Sequence, residues 1–182
     1  GEAVNIEDQG RDFAVTRLLY ESVGRDKRSI GYLGTLASGP RYDAIVHGID
    51  GHYTSSNANL IFDAQLVMSD VDNLQGYGGM LDLLYASSNN LRHKFELDYM
   101  NEKVNFSDLG FLRRNDYASA RYVMSYEKQK FSESVTNFRT TVVLEKQQNV
   151  TKQQSISSGI YWRASMILPG RNSLRTAVAY FP

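Results

Sequence analysis

Alternation of apolar and polar side chains with a period of two residues dominates this sequence and restricts what it can fold into. Between residues 58 and 69, Leu60, Phe62 and Leu66 share one parity, whereas Asp63 and Gln65 take the other. Successive side chains of a strand point to opposite faces of a sheet, whereas these apolar residues would surround a helix on all sides. The segment is therefore predicted to be a β-strand with one apolar face and one polar face.

The same alternation recurs along the whole chain. It is also clear in four further segments, at residues 92–100, 116–128, 136–147 and 154–166. Weaker versions occupy residues 12–23, 29–37, 42–51, 76–86 and 173–181. Clusters of Gly, Asn, Ser and Asp separate the segments, which favours hairpin connections between them. We predict an all-β fold, an antiparallel meander of about ten long strands.

Composition excludes several classes of protein. The 182 residues suit one domain, and no linker-like stretch divides them, so residues 1–182 are assigned to a single domain. Lys plus Arg and Asp plus Glu are both 20, and this zero formal charge argues against a nucleic-acid partner. No apolar run reaches the roughly 18 residues of a membrane helix. The absence of cysteine removes disulfides and thiolate metal sites.

Alternation alone allows two environments for the apolar face. In a soluble barrel or sandwich this face packs inward, whereas in an outer-membrane barrel it contacts lipid. Tyr77 and Tyr85 share parity with Leu81 and Leu83. At about 3.3 Å per residue and the usual strand tilt, the two tyrosines are roughly 20 Å apart across the bilayer, close to the separation of two aromatic girdles. These features favour a transmembrane β-barrel, of which the chain forms part or all.

The polar face of the predicted strands carries charges of both signs. Its ionisable residues are Asp63, Lys94, Glu96, Asp98, Arg121, Glu127, Arg139, Glu145, Arg163 and Arg175. A wide barrel holds such residues around a water-filled interior, whereas the inside of a small soluble barrel is normally apolar. We predict that these side chains form the wall of a lumen.

Candidate catalytic and metal-binding chemistry is sparse. The sequence has no Gly-x-Ser-x-Gly nucleophile elbow, and the strand carboxylates form a glycosidase pair only if neighbouring strands set two of them at the required separation. Asp43, His47, Asp50 and His52 suggest a metal cluster, but a strand places Asp43 and Asp50 on opposite faces. We therefore predict no catalytic residue, no metal site and no cofactor.

Two local sequences interrupt the alternation. Asp72 and Asn73 lie in a stretch faintly similar to a calcium loop, but Leu74 stands at a ligand position and the closing Glu is missing. A polar turn is predicted there. The stretch Gly76-Tyr77-Gly78-Gly79 is followed by no amphipathic helix that would present amides to a phosphate, so it predicts a kink in the sheet or space for a bulky neighbour.

Residues 105–117 carry a family resemblance. They read Asn-Phe-Ser-Asp-Leu-Gly-Phe-Leu-Arg-Arg-Asn-Asp-Tyr, in which Gly110, Phe111, Arg113, Arg114 and Asp116 match a Gly-Phe, Arg, Asp signature. The chain resembles the uncharacterised β-barrel region that follows a family 9-type carbohydrate-binding module in Gram-negative outer-membrane proteins. Residues 29–31 and 46–51 resemble the paired early strands of that family.

The resemblance implies a location and partners. It implies the bacterial outer membrane, with membrane lipid as the direct partner and carbohydrate bound through a module outside this chain. Two features depart from the family pattern: that module is absent, and the chain ends Tyr180-Phe181-Pro182 rather than on a terminal aromatic residue. Because the chain also opens at Gly1 without an initiator Met or a signal peptide, we expect a mature product or an excised piece.

Three functions are consistent with these patterns. The leading hypothesis is a non-enzymatic outer-membrane β-barrel segment that serves as anchor or passage for a carbohydrate-related surface protein. The alternatives are a soluble antiparallel β-barrel that binds a small apolar ligand, and a carbohydrate-active hydrolase that uses strand carboxylates. The long connection at residues 104–115 has two interpretations, a loop that folds into the barrel and constricts it, or an external loop.

Overall fold

The computed structural model describes residues 10–107 and 114–182 as strands joined mostly by turns, with one short 3-10 segment at Pro169–Arg171. The strands are β1 Asp12–Val23, β2 Lys27–Ser38, β3 Ala44–Thr54, β4 Leu60–Val71, β5 Leu74–Ala86, β6 Leu91–Met100, β7 Tyr117–Ser132, β8 Val135–Asn149, β9 Ser155–Ile167 and β10 Ser173–Tyr180. The prediction of an all-β fold with about ten long strands is confirmed. Among the described residues, no helix has the length and apolarity needed to cross a membrane.

The sheet is a simple meander. Each strand pairs with its neighbours in the chain, and every pair is antiparallel. The order therefore runs from β1 to β10 without a crossover, and β1 and β10 are the two edges of an open sheet. Such an arrangement is compatible with part of a β-barrel, in which hairpin-connected strands follow one another around the wall.

The observed strands differ from the predicted segments mainly at their ends. β7 continues to Ser132 rather than to residue 128, because its pairing with β8 passes through an irregularity between Gln129 and Ser132. β5 begins at Leu74 because Asp72 and Asn73, with φ of 52° and 60°, form the hairpin turn before it. Positive φ at both central residues is typical of the tight turns that match the twist of antiparallel strands. The prediction of a polar turn at this position is confirmed.

The pairing register sorts the strand side chains into two faces. The first, called the apolar face below, includes Leu18, Ile30, Ile49, Leu66, Leu81, Leu97, Tyr122, Leu144, Trp162 and Val178. The second, called the polar face, includes Arg17, Asp50, Asp63, Asp82, Glu96, Arg121, Glu145, Arg163 and Arg175. The parity read from the sequence therefore persists across the whole sheet.

Burial is concentrated on the polar face. Ala37, Ala44, Ser69, Met100 and Val143 are at most 7 % exposed, and the register places all of them on this face. In contrast, Leu18, Leu66 and Val178 on the apolar face are 60–66 % exposed. The sheet thus has its small packed region on the side that also carries the charges.

The connection after β6 covers part of this packed region, next to Ser69 and Gly76. Val104 is fully buried, and its backbone occupies the space that a side chain at Gly76 would need. Asn105 donates its backbone N–H to Ser69 Oγ at 2.9 Å, and Val104 donates its own to Asn101 Oδ1 at 2.9 Å. The first part of the loop, up to residue 107, therefore packs against the polar face, and Gly76 provides the predicted space for a neighbour.

A side chain at Gly76 is expected to displace this loop. In Gly76→Ala the new Cβ meets the Val104 backbone, and overpacking of this kind typically costs about 1–3 kcal/mol. Limited proteolysis within residues 101–116 should then accelerate by roughly tenfold, since each 1.4 kcal/mol changes an equilibrium constant tenfold. Gly51→Ala is the matched control, because its Cβ meets only the Ser29 carbonyl oxygen at 3.9 Å. Equal cleavage rates in the two variants would contradict the packing.

Candidate functional site

A row of ionisable side chains crosses the middle of the polar face. The register places one such residue opposite the next on the successive strands β3 to β8: His52, Asp63, Asp82, Glu96, Arg121 and Glu145. We call these residues the charged row. Opposite charges on neighbouring strands attract each other, whereas like charges in the same position repel.

Glu96 lies at the centre of the charged row and has two cationic partners. Lys94 Nζ donates to it at 2.7 Å from the same strand, and Arg121 donates to it at 2.8 Å from β7. Lys94 also lies 3.4 Å from Asp82 on β5, and Arg121 lies 3.8 Å from Glu145 on β8. The two cations therefore separate three carboxylates that would otherwise repel one another across four strands.

Contacts continue beyond this centre on both sides. Glu145 accepts a hydrogen bond from the Tyr161 hydroxyl of β9 at 2.8 Å, and the Tyr161 ring meets Phe181 edge-on at 5.2 Å. Towards β3, His52 Nδ1 lies 2.5 Å from Asp63 Oδ1. Side-chain contacts thus join β5 to β9 on this face, and a separate contact joins β3 to β4.

A separate ion pair closes the β1 side of the polar face. Arg17 on β1 and Asp50 on β3 lie 2.6 Å apart, although β2 runs between them. The two side chains meet directly over Gly31, where a Cβ would lie 2.6 Å from each of them. The glycine is what allows the two outer strands to make contact across the middle one.

The ionised groups of the charged row remain partly hydrated. Arg121 is 45 % exposed, Lys94 38 % and Glu96 21 %. Ion pairs of this exposure contribute about 0–1 kcal/mol each, so they are a modest source of stability. Because such groups are costly to remove from water, the polar face requires an aqueous environment.

All the predicted wall residues lie on the polar face, in several groups. Lys94, Glu96, Arg121 and Glu145 are joined in the charged row, and Asp63 lies at its β4 position. The other predicted residues lie outside the charged row. Glu127 pairs with Arg139 at 2.7 Å, and Asp98 accepts a hydrogen bond from Ser119 at 2.8 Å. Arg163 lies farther along β9 and has no carboxylate partner among the described residues.

Sequence reasoning missed four members of this face. Asp82, Asp50, Arg17 and Tyr161 belong to it and were not among the predicted wall residues. Asp82 had a usable signal, because it has the opposite parity to Tyr77, Leu81 and Tyr85. The contact between Arg17 and Asp50 had no signal in the sequence, because the two residues are 33 positions apart and meet only once their strands are paired.

The signature residues at the β6–β7 connection divide into two groups. Gly110, Phe111 and Arg113 lie outside the described residues. Arg114 borders a cavity of about 600 Å³ on the polar face, which Phe106 and Asp98 also line. Asp116 instead lies at the end of the connection, next to the turn that follows β8.

Asp116 joins the long connection to this turn. Its carboxylate accepts from the Thr151 hydroxyl at 2.7 Å, the Thr151 backbone N–H at 2.9 Å and Asn149 Nδ2 at 2.5 Å. These donors, the Thr151 hydroxyl foremost, hold the pKa of Asp116 below its ordinary value. The backbone of Asp116 has φ of 55°, a conformation that Asp tolerates better than most residues. One signature residue therefore has a structural role.

The described histidines do not assemble a metal centre. Within residues 10–107 and 114–182, no group of three or more His, Cys, Asp or Glu side chains is arranged to hold a metal ion. His47 lies on the apolar face and is hydrogen-bonded to the Tyr32 hydroxyl at 2.7 Å, whereas His52 lies on the polar face.

A double-mutant cycle tests the contact between Arg121 and Glu96. The variants Arg121→Gln, Glu96→Gln and their combination should give a coupling free energy of about 0.2–1 kcal/mol, as expected for a partly exposed pair. Urea unfolding of each variant measures it. The matched cycle pairs Arg121 with Glu127, which lies on the same strand without contact and should give additive effects. A coupling no larger than that of the control would contradict the network.

The depressed pKa of Asp116 makes its turn sensitive to acid. A carboxyl group whose pKa is lower in the folded state stabilises the fold at pH values above its unfolded-state pKa, which is about 3.9 for Asp. This stabilisation is lost as the pH falls through the folded-state pKa. Hydrogen-exchange protection of the Thr151 amide, relative to its intrinsic rate, should therefore fall in acid. The Asn59 amide is the internal control, because it donates at 3.1 Å to the side-chain oxygen of Asn57, which does not titrate and has no contact with Asp116. Parallel loss of protection at both amides would contradict this assignment.

Comparison with known proteins identifies a family for this chain. The search of curated proteins and the search of solved structures returned no match. A family model described as "Domain of unknown function (DUF5916)" matches residues 34–180, which covers the sheet from within β2 to the end of β10. Because the match extends over most of the sequence, the chain belongs to the DUF5916 family.

Proposed function

We propose that this chain forms part of a β-barrel in the bacterial outer membrane and serves as an anchor or passage for a carbohydrate-related surface protein. One observation carries the proposal: most of the exposed large apolar side chains lie on one face of the sheet, and the hydrated ion pairs lie on the other. The exceptions on the polar face include Val15 and Leu19 on the edge strand β1. A sheet of this kind suits lipid on one side and water on the other.

The apolar face is the side that requires a cover. Leu18, Leu66, Trp162 and Val178, on strands at both edges and in the middle, are 40–66 % exposed. Soluble monomers rarely expose continuous apolar patches above a few hundred Å². Burial of apolar area is favourable by roughly 25 cal/mol per Å². Lipid hydrocarbon chains could cover the apolar face without specific contacts.

Aromatic side chains at both margins of the apolar face support a membrane setting. Tyr77 stacks on Tyr99 at 5.9 Å near the hairpin turn at Asp72, and Tyr85 stacks on His93 at 6.3 Å near the opposite ends of the same strands. Amphipathic rings of this kind prefer the interface between hydrocarbon and water. On β5 and β6, aromatic residues would then lie at both boundaries of the membrane-crossing part of the sheet.

The position of the packed residues argues against the soluble alternative. A soluble barrel with an apolar ligand inside would bury its apolar face, but Ser69, Met100 and Val143 are buried on the polar face. The loop carrying Val104 folds over the same face. This placement supports an interior lined by the polar face, with the first part of the loop inside it.

The contacts of the strand carboxylates favour a wall over a hydrolase. Glu96 and Glu145 are both partners of Arg121, so its guanidinium lies between the two groups that a glycosidase would need for catalysis. Carbohydrate recognition enters the proposal only through the resemblance to barrels that follow a carbohydrate-binding module, and it is assigned to a module outside this chain.

Arginine substitutions at adjacent positions of β4 test the orientation of the sheet. Leu66 is on the apolar face at mid-strand and is 66 % exposed, whereas Gln65 is on the polar face. Arginine facing lipid near the bilayer midplane costs about 2–4 kcal/mol. Leu66→Arg should therefore reduce assembly into the membrane by at least roughly thirtyfold, and Gln65→Arg should assemble normally. Heat-modifiable migration of the membrane fraction measures assembly.

Two outcomes would contradict the proposal. One is equal membrane assembly of Leu66→Arg and Gln65→Arg, because the two faces would then not differ in environment. The other is a monodisperse protein without detergent, which would favour the soluble alternative.

A further inference from the structure

Three arginines lie close together on the polar face of the last strands. Arg139 on β8 and Arg175 on β10 both stand opposite Ser165 of β9, so only one strand separates them. Arg163 lies two residues from Ser165 on β9, opposite Thr141 and Ala177. With neighbouring strands about 4.8 Å apart, the three Cα atoms lie within roughly 10 Å of one another. We call these residues the arginine cluster.

The arginine cluster has a surplus of positive charge. Its one carboxylate partner among the described residues is Glu127, which accepts from Arg139 at 2.7 and 3.0 Å. Neither Arg163 nor Arg175 has a carboxylate within ion-pair distance in the described chain. In contrast, Arg17, Lys94 and Arg121 on the same face are each paired with Asp or Glu.

The surroundings of the arginine cluster leave room for a ligand. The residues between the arginines are small, and together they line an open cavity of about 590 Å³ that includes Thr141, Ser165 and Ala177. The side chains of Arg139, Arg163 and Arg175 are exposed. Their guanidinium groups can therefore reach a solute on this face without displacing a neighbouring side chain.

Exposed guanidinium groups at this spacing repel one another weakly, and an anion bound between them would replace that repulsion by attraction. Arginine presents a planar fork of donors that matches the paired oxygens of carboxylates and phosphates. The last two strands, β9 and β10, contain no Asp or Glu, whereas carboxylates occupy the polar face of β3 to β8. Positive charge on β9 and β10 is therefore not matched by acidic residues of the same strands.

We propose that Arg139, Arg163 and Arg175 form an anion-binding stretch, which a carboxylate- or phosphate-bearing solute contacts as it moves along the polar face. The proposal rests on the proposed function, in which this face lines an aqueous passage. Rings and ladders of arginine or lysine select anions in pores because they lower the electrostatic energy of an anion along the path.

Ion selectivity in planar lipid bilayers tests the proposal on the intact protein. In a KCl gradient, the reversal potential of the unmodified protein should show preference for chloride over potassium. The double variant R163Q/R175Q should lower the chloride-to-potassium permeability ratio by roughly threefold or more, because these charges lie within one Debye length of the path. R163K/R175K keeps the charge and should retain the selectivity.

Arg28→Gln is the matched control, because Arg28 lies on the apolar face near the end of β2 and should leave selectivity unchanged. Channels that keep the wild-type selectivity in R163Q/R175Q would overturn the anion proposal and leave the barrel intact.

Calorimetric titration with inorganic phosphate in detergent at low salt provides a second measurement that needs no conductance. Binding by the unmodified protein and its loss in R163Q/R175Q would support the anion-binding stretch even for a pure anchor. Absence of phosphate binding to the unmodified protein would overturn it. A protein that is monodisperse without detergent would instead overturn the proposed function, and the titration would still decide on the site.

Discussion

Continuous backbone pairing between consecutive strands is the constraint on which the rest of the structure depends. Every residue of a paired strand has its side chain fixed to one face, so a two-residue alternation in sequence becomes a difference between two whole surfaces. The registers from β1 to β10 preserve this parity over the described sheet. A slip of one residue in a single hairpin would invert the faces beyond it, and the charged row would no longer be continuous.

Much of this arrangement is encoded locally and was therefore accessible from the sequence. The segment at residues 58–69 became β4, and the parity of Asp63 and Leu66 assigned each to its observed face. Strand ends were less accessible, because the extension of β7 to Ser132 depends on its partner β8. The local pattern specifies which residues share a face, whereas the partner strand decides where the ladder stops.

The contacts that join distant strands were not accessible in the same way. The position of the connection at Val104 and Asn105 depends on Gly76 of β5 and Ser69 of β4, and no local pattern shows that these residues meet. Asp116 was singled out by a family-like signature, but its hydrogen bonds to Thr151 required the fold. Sequence therefore indicated that these residues differ from their neighbours without indicating what they contact.

The two open edges connect the fold with the proposed environment. Within hydrocarbon, every backbone N–H and C=O must be paired, so an open sheet edge is not tolerated there. Strands alternate in direction along the meander, and β1 and β10 therefore run in opposite directions. Direct pairing between them would be antiparallel, and insertion of an even number of further strands between them would preserve the alternation. The membrane proposal thus requires closure by one of these routes, whereas a sheet in water requires only that its edges be blunted or covered.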